Sequence, residues 1–187
     1  GYRAHRCFEG YGWCSLVVNP ADIFRRGKER HTKTDRIDAQ LIARELKDGR
    51  LECIEVPDRC REQLRSLFRR RNDLVKDMRQ TKSYIKMQLL YYGIEVPEVY
   101  DNDHWSHGFR DWLDGLEFEY ESGKEVLRSR MRTFRFIDRE FREVSTLLRR
   151  YTKIHFKKDY MLLRSIPGIG PIVASGILSE LGDLRRF

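Results

Sequence analysis

Two aspartates, Asp35 and Asp38, are the residues of this chain whose type and spacing are most suited to chemistry. They lie three positions apart, and in a helix such residues share one face, with Cβ atoms about 5–6 Å apart. Two carboxylates held in this way can converge on a hard divalent cation, which prefers oxygen ligands. The alternative is a solvated acidic pair that suits the positive end of a helix. The surrounding elements must decide between these two hypotheses.

A helix that begins beside the two aspartates would position them. Thr34 is a suitable N-cap residue, and it would place Asp35 at the first helical position and Asp38 one turn inward. Apolar residues then follow with helical spacing as far as Leu46, and Gly49 suits the C-terminal end. The ionised forms of both carboxylates, which a metal requires, are favoured at this end of a helix.

Short elements are predicted on either side of this helix. The apolar run 13–18 is typical of a buried strand in a parallel α/β sheet, and residues 51–56 suggest an edge strand. Residues 2–9 resemble the end of a helix closed by glycines, and a short helix is predicted over 21–24. These elements together predict a partial α/β segment at the start of the chain.

The charge of the chain favours a polyanionic partner. Its 187 residues contain 37 Lys and Arg against 29 Asp and Glu, a net charge of +8. Such an excess points most simply to nucleic acid, although a merely soluble basic protein has the same composition. The four cysteines lack the spacing of a zinc site, so they are predicted to be reduced thiols. No apolar run approaches the ~20 residues that span a bilayer.

A long helical arm is predicted in the middle of the chain. No Gly or Pro interrupts residues 58–92, and an imperfect heptad pattern continues through them, with Arg71, Thr81 and Gln88 at seam positions. A second long helix is predicted over 124–151, with a cleaner seam broken only by Arg130. The two helices predict an antiparallel coiled coil, although either seam could instead pair with another chain.

A hairpin of two short helices is predicted near the end of the chain. A Pro-Gly-Ile-Gly turn at 167–170 is followed by Pro171, which suits the first position of a helix. Gly168 and Gly170 would let the backbone approach a ligand closely, and the helix N-terminus offers N–H groups to a phosphate. This pattern resembles a helix-hairpin-helix element that binds nucleic-acid backbone, although a plain helical turn is the alternative.

The candidate nucleic-acid contacts are basic residues and hairpin glycines. A charge run on a helix is usually a solvated face, but the basic excess recurs on both long helices, which favours phosphate contact. The candidates are Lys33, Arg36, Arg69, Arg70, Arg79, Lys82, Gly168 and Gly170.

The order of these motifs resembles one family. The segment Lys33 to Ala39, then Gln40 to Arg44, a long basic arm and the turn at 165–171 together resemble DEDD-type insertion-sequence transposases, which include the bridge-RNA-guided recombinases. The resemblance covers essentially the whole chain. It implies a RuvC-like, ribonuclease H-like domain with four acidic Mg²⁺ ligands, a coiled-coil arm, and a helical domain that carries a nucleophilic serine.

The resemblance assigns catalytic and metal-binding roles to Asp35 and Asp38, as the third and fourth acids. The first two acids would precede Gly1, and the serine would follow Phe187; Ser165, Ser175 and Ser179 do not match its position. The chain is therefore expected to be an internal fragment that is itself inactive. Lys33 and Arg36 could contact phosphate near the metal, although both suit a solvated surface equally well.

The fold predicted from these observations is mainly α. It has a long antiparallel coiled-coil arm between a partial RuvC-like α/β segment and the start of a helix-hairpin-helix-type domain. The expected domains are 1–57, 58–157 with a tip at about 93–123, and 158–187.

The resemblance implies an RNA-guided, Mg²⁺-dependent DNA transposase that cleaves and rejoins strands at the ends of an insertion sequence. Expected partners are DNA, a guide (bridge) RNA and further copies of the chain through the coiled coil. No membrane contact is expected, and the expected location is the nucleoid in a prokaryotic cytoplasm. The alternatives are a non-catalytic module for nucleic-acid binding and oligomerisation, and a RuvC-like junction resolvase.

Overall fold

A computed structural model describes residues 1–23, 34–100 and 104–181 of the chain. The described residues are mainly helical and contain no strand, which confirms the prediction of a mainly α fold. The helices are α1 Tyr2–Gly10, α2 Asp35–Lys47, α3 Arg59–Tyr91, α4 His107–Asp114, α5 Glu121–His155, α6 Lys157–Ser165 and α7 Pro171–Glu180, with a 3₁₀ turn at Glu98–Tyr100. None of the described helices is both long enough and apolar enough to cross a membrane.

The chain divides into two compact units, Gly1–Asp58 and Arg59–Phe187. The first contains α1 and α2, and the second contains the remaining helices. The predicted domain boundaries, with a third domain from residue 158, stay a prediction.

The helices of the first unit begin and end where the sequence predicts. The Thr34 hydroxyl accepts a hydrogen bond from the Ile37 N–H at 3.3 Å, so Thr34 is the N-cap of α2. Gly49, which follows the C-cap Asp48, has a φ of 69°, a left-handed conformation that favours glycine. Helix α1 ends at Gly10, one residue beyond the predicted span 2–9.

The strands predicted over 13–18 and 51–56 do not form. A single antiparallel bridge joins Val18 to Cys53, and the Ile54 N–H donates to the Val17 carbonyl at 2.7 Å. Trp13, predicted to be buried in a sheet, is 66% exposed. The apolar run is thus a strand-like sequence without a sheet, because two short segments rarely make a stable ladder without further strands or a packed face.

The prediction of a short helix over 21–24 is also wrong for residues 21–23, and residue 24 lies outside the described residues. Residues 20–22 form a turn in which the Asp22 N–H donates to the Asn19 carbonyl at 3.0 Å. The Asn19 side chain accepts from the Ala21 N–H at 3.2 Å, an Asx-turn arrangement that competes with helix formation.

The second unit is built on an antiparallel pair of long helices. Gln88, near the end of α3, donates to the carbonyl of Gly123, near the start of α5, at 3.0 Å. At the other end, the guanidinium carbon of Arg61 lies 5.3 Å from the centroid of the Phe156 ring, just after α5. Leu74 packs with residues of the middle of α5. The antiparallel pairing is confirmed for these helices, whereas supercoiling of the pair stays a prediction.

An aromatic cluster covers the end of the long helix pair, where α3 ends and α5 begins. Helix α4 contributes the buried Phe109 and Leu113, and Trp105 precedes it. The Trp105 and Phe134 rings lie 4.8 Å apart between centroids. Burial of these large rings explains why the polar segment between the long helices folds into a short helix rather than an open loop.

Helices α6 and α7 form the predicted hairpin and pack on the long pair. Pro171 is the first residue of α7, as the sequence predicts. The Arg164 guanidinium donates to the Ile169 carbonyl at 2.6 Å, which ties the end of α6 to the turn. On α7, a Cβ added to Gly176 would lie 2.6 Å from Cζ of Phe68 on α3, so only glycine permits this close approach.

Candidate functional site

The first turn of α2 carries both candidate metal ligands. Asp35 is its first residue and is exposed, and Asp38 is half-buried. The Asp38 N–H donates to the Thr34 carbonyl at 3.0 Å, so the capped turn fixes the backbone that presents the two carboxylates. The residues predicted from sequence therefore share one helical turn, as the spacing requires.

Asp38 also lines a small apolar cleft. The cleft has a volume of about 170 Å³, and its other lining residues are aliphatic side chains and a proline from the same unit: Val18, Pro20, Ile23, Leu41 and Ile42. A carboxylate at the edge of such a surface is less hydrated than one in open solvent, which strengthens its interaction with a cation.

Two carboxylates are a partial donor set for a divalent metal. Oxygen ligands suit Mg²⁺, but this ion demands near-octahedral geometry and is held by carboxylates with water or phosphate. Among residues 1–23, 34–100 and 104–181, no group of three or more His, Cys, Asp or Glu residues is arranged to hold a metal ion. The chemistry of Asp35 and Asp38 thus fits Mg²⁺ as part of a larger ligand set.

Of the two candidate phosphate contacts beside the aspartates, one lies within the described residues. Arg36 is an exposed residue of the first turn of α2. Lys33 lies outside the described residues.

Two of the four candidate cations on α3 have partners within the fold. The Arg69 guanidinium donates to both carboxylate oxygens of Glu180, at 2.8 and 3.0 Å. The Lys82 ammonium lies 5.4 Å from the centroid of the Trp105 ring, within the range of a cation–π contact. Sequence cannot reveal these partners, since Glu180 is 111 positions from Arg69.

Arg70 and Arg79 are the other two candidate cations on α3. Both side chains are exposed, and neither guanidinium has a hydrogen bond or ion pair with another described residue. Their role in binding phosphate stays a prediction, but their accessibility suits it.

The hairpin presents its two candidate glycines to solvent. Gly168 is exposed with a φ of 86°, and Gly170 is the half-buried N-cap residue of α7. No atom lies within 4 Å of an added Cβ at either position. The left-handed backbone therefore explains Gly168, whereas only an outside ligand that approaches closely would require glycine at 170.

The serines of the hairpin are engaged in local hydrogen bonds. The hydroxyls of Ser165, Ser175 and Ser179 each donate to a backbone carbonyl three or four residues earlier, at 2.7–2.9 Å. Ser175 and Ser179 are also completely buried. These hydrogen bonds stabilise α6 and α7. The burial of Ser175 and Ser179 suits no nucleophilic role, whereas Ser165 is exposed.

A group of cations near the α6–α7 hairpin is absent from the residues predicted from sequence. Lys153 and Arg164 line a cleft of about 440 Å³ together with Tyr160, Met161, Ser165 and Pro171. One signal in the sequence could have identified this region, because Asp159 is the only acidic residue among 144–179.

Comparisons with known proteins place the chain among transposases. A family model of DEDD-type IS110 proteins, described as "Transposase", matches residues 6–94. A second model, described as "Transposase IS116/IS110/IS902 family", matches residues 160–187. The two matches together include more than half of the chain, and they contain the acidic pair and the hairpin respectively. The chain therefore belongs to the IS110-type transposases.

A curated relative agrees with this assignment. The protein y4qE of Sinorhizobium fredii (strain NBRC 101917 / NGR234), named as a transposase, is 28% identical over 189 residues. The similarity covers 100% of this chain and 44% of the relative, so the chain spans less than half of the relative's length. The resemblance identified from the order of the motifs is thus confirmed at the level of the family.

Proposed function

We propose that this chain is the metal-ligand and arm region of a DNA transposase that cleaves and rejoins strands at the ends of an insertion sequence. The observation that carries the proposal is the capped first turn of α2. It presents Asp35 and Asp38 together within the segment that matches the transposase family. The proposed reaction is Mg²⁺-dependent and guided by RNA.

Asp35 and Asp38 act in this proposal as two of four carboxylate ligands. Mg²⁺, when bound, would neutralise charge that develops on a phosphate. The Thr34 cap holds the turn, and the positive end of the α2 dipole favours the ionised carboxylates. Arg36, and Lys33 just before the cap, would contact phosphates beside the pair. The remaining two acids and the nucleophilic serine would be supplied by other parts of the transposase.

The proposed partners are DNA and a guide RNA, and the proposed assembly is a homo-oligomer formed through the long helices. The proposed location is the nucleoid of a prokaryotic cell. Supporting this proposal are the net charge of +8 and the exposed cations Arg70 and Arg79 on α3. Such residues contribute sequence-independent contacts to phosphate.

The test is excision of a marked insertion sequence in cells by the complete transposase that contains this chain. D35N and D38N are each expected to lower the excision frequency at least a hundredfold, because each removes a charged metal ligand. D73N is the matched control, since Asp73 is exposed and pairs with Lys76 on the same helix. Wild-type excision by both D35N and D38N would refute the metal role.

A second candidate function is a non-catalytic module that binds nucleic acid. It is favoured by the donor set, because the described residues bring no third ligand to the two aspartates. The purified 187-residue chain is expected to bind DNA or RNA without cleaving it in Mg²⁺. Strand cleavage by the purified chain alone would contradict this expectation. It would also contradict the proposal that Asp35 and Asp38 are only two of four metal ligands.

A further inference from the structure

The surface formed by the end of α5 and by α6 carries cations without carboxylate partners. We call this surface the α5–α6 cationic face; its members are Arg149, Arg150, Lys153, Lys157, Lys158 and Arg164. All six side chains are exposed. None forms an ion pair with another described residue, and their contacts are to aromatic rings, a hydroxyl and backbone carbonyls.

Elsewhere on the long helices α3 and α5, many cations are already neutralised by carboxylates. Lys124 pairs with Glu117 at 2.9 Å, and Arg128 pairs with Glu121 at 2.8 Å. Lys76 pairs with Asp73 at 3.4 Å. Asp159, by contrast, is the only acid within residues 144–179. The α5–α6 cationic face therefore gathers, within 16 residues of sequence, six exposed cations without carboxylate partners among the described residues. Arg70 and Arg79 on α3 also lack such partners, but they lie nine residues apart.

Two of the cations are positioned at a cleft of about 440 Å³ beside the hairpin. Arg164 donates to the Ile169 carbonyl at 2.6 Å, which leaves its other guanidinium N–H groups available. The Lys153 ammonium lies 5.9 Å from the centroid of the Tyr160 ring. Pro171, the first residue of α7, also lines the cleft, so the unpaired N–H groups of the first turn of α7 lie near it.

The spacing of the cations suits a row of phosphates. Lys157 and Arg164 are seven residues apart on α6, so they lie on one side of the helix and about 10 Å apart along its axis. One strand of duplex DNA advances about 3.4 Å per phosphate along its axis, so this distance matches about three phosphates. Lys153 adds a cation from α5 to the same cleft.

We propose that the α5–α6 cationic face binds the phosphodiester backbone of a nucleic acid. The proposal rests on the proposed function, and it adds a location for the backbone that differs from the α3 residues predicted from sequence. Backbone amides and cations contact phosphate here, while no base is recognised. Binding is therefore independent of sequence and steeply dependent on salt.

The test compares two triple variants of the 187-residue chain with the same loss of net charge. K153Q/K157Q/K158Q neutralises three unpaired cations, none of which has a hydrogen bond to another described residue. K76Q/K124Q/R128Q neutralises three cations that have carboxylate partners. The binding constant is measured by fluorescence anisotropy at several salt concentrations, on a DNA duplex and on an RNA duplex of equal length.

K153Q/K157Q/K158Q is expected to reduce the magnitude of the slope of log K against log salt by about 2.7 for the duplex that binds this face. Each lost phosphate contact contributes about 0.9 to the slope for duplex DNA. The arm variant is expected to change the slope by less than about 1. The duplex whose binding shows the larger reduction identifies DNA or RNA as the ligand. Thermal unfolding must show that both variants fold like the wild type.

Three results would overturn the proposal. An unchanged slope in K153Q/K157Q/K158Q, with salt-dependent binding by the wild type, would refute this surface but leave the proposed function intact. Equal losses in the two variants would show that only net charge matters. If the wild type fails to bind either duplex at low salt, both the proposed function and the surface fail.

Discussion

Arg69 of α3 and Glu180 of α7 form a two-pronged ion pair, with both guanidinium–carboxylate distances between 2.8 and 3.0 Å. One turn earlier on α3, Arg65 donates to the carbonyls of Ser179 and Glu180 at 2.9 and 3.0 Å. The two arginines therefore hold the C-terminal end of α7, where cations also interact favourably with the helix dipole. Arg69 serves the fold in this arrangement, whether or not it also contacts nucleic acid.

E180Q is expected to lower the free energy of unfolding at neutral pH by about 0.5–1 kcal/mol, because the pair is partly exposed. The hydrogen bond from Arg69 lowers the pKa of Glu180 below its ordinary value. A carboxylate with a lowered pKa stabilises the fold above its unfolded-state pKa, and this contribution disappears as the pH falls through the folded-state pKa. The difference between wild type and E180Q should therefore shrink on acidification, as followed by urea unfolding over a pH series.

D73N is the control for E180Q, because Asp73 belongs to an exposed pair with Lys76 on one helix. It is expected to change stability by less than about 0.5 kcal/mol at any pH in the series. A difference for E180Q that stays constant across the series would show that its effect comes from packing rather than charge.

The contact between Gly176 and Phe68 makes a separate prediction about how α7 packs on α3. G176A is expected to destabilise the fold by about 1–3 kcal/mol, because the new methyl group would overlap the Phe68 ring. F68L should remove part of the overlap, so the double variant should be more stable than the sum of the single effects predicts. Urea unfolding of the four members of this cycle measures the coupling, and strict additivity would contradict the contact.

Helix bounds and caps were predictable from sequence, because their determinants are local. Thr34 and Pro171 mark helix starts through a hydroxyl acceptor and a missing N–H, and Gly93 follows α3 with a φ of 67°. The acidic pair was predictable for the same reason, since three-residue spacing on a helix fixes its geometry. These features need no knowledge of the rest of the fold.

Features that depend on distant partners were not predictable. Gln88, a polar residue at an apolar seam position, is buried because it donates to Gly123 and accepts from Arg130 at 3.1 Å. The run 13–18 has the composition of a buried strand, yet its burial would require neighbouring strands that sequence pattern cannot supply. The same limitation applies to charge, because a basic run does not reveal which of its cations have carboxylate partners in the folded chain.

Arg71 is a second polar residue at the seam, and its environment predicts a stabilising substitution. Its guanidinium carbon lies 4.9 Å from the centroid of the Phe141 ring, and its Nε is buried without a hydrogen-bond partner. Burial lowers the pKa of Arg71, which reflects the cost of keeping its charge there. R71M should raise the free energy of unfolding by about 1 kcal/mol. R70M, at the exposed neighbouring position, should leave it unchanged, and destabilisation by R71M would contradict this interpretation.

The two hairpin glycines are expected to respond differently to alanine. G168A should destabilise the fold by about 1 kcal/mol, because a side chain is strained in the left-handed conformation of Gly168. G170A should leave stability unchanged, since its φ is −75° and the space around it is open. If nucleic-acid backbone approaches the hairpin closely, G170A should nevertheless weaken DNA binding several-fold in an anisotropy titration. Wild-type affinity in a folded G170A variant would argue against that close approach.

The Thr34 cap makes a prediction about the turn that carries the acidic pair. T34A removes the acceptor of the Ile37 N–H and is expected to destabilise α2 by about 1 kcal/mol. The effect should be local, so hydrogen exchange of the amides in the first turns of α2 should accelerate about fivefold while the amides of α3 stay unchanged. T34S keeps a hydroxyl at the cap and should exchange like the wild type. Equal acceleration in T34A and T34S would show that the threonine methyl group, rather than the hydrogen bond, holds the turn that presents Asp35 and Asp38.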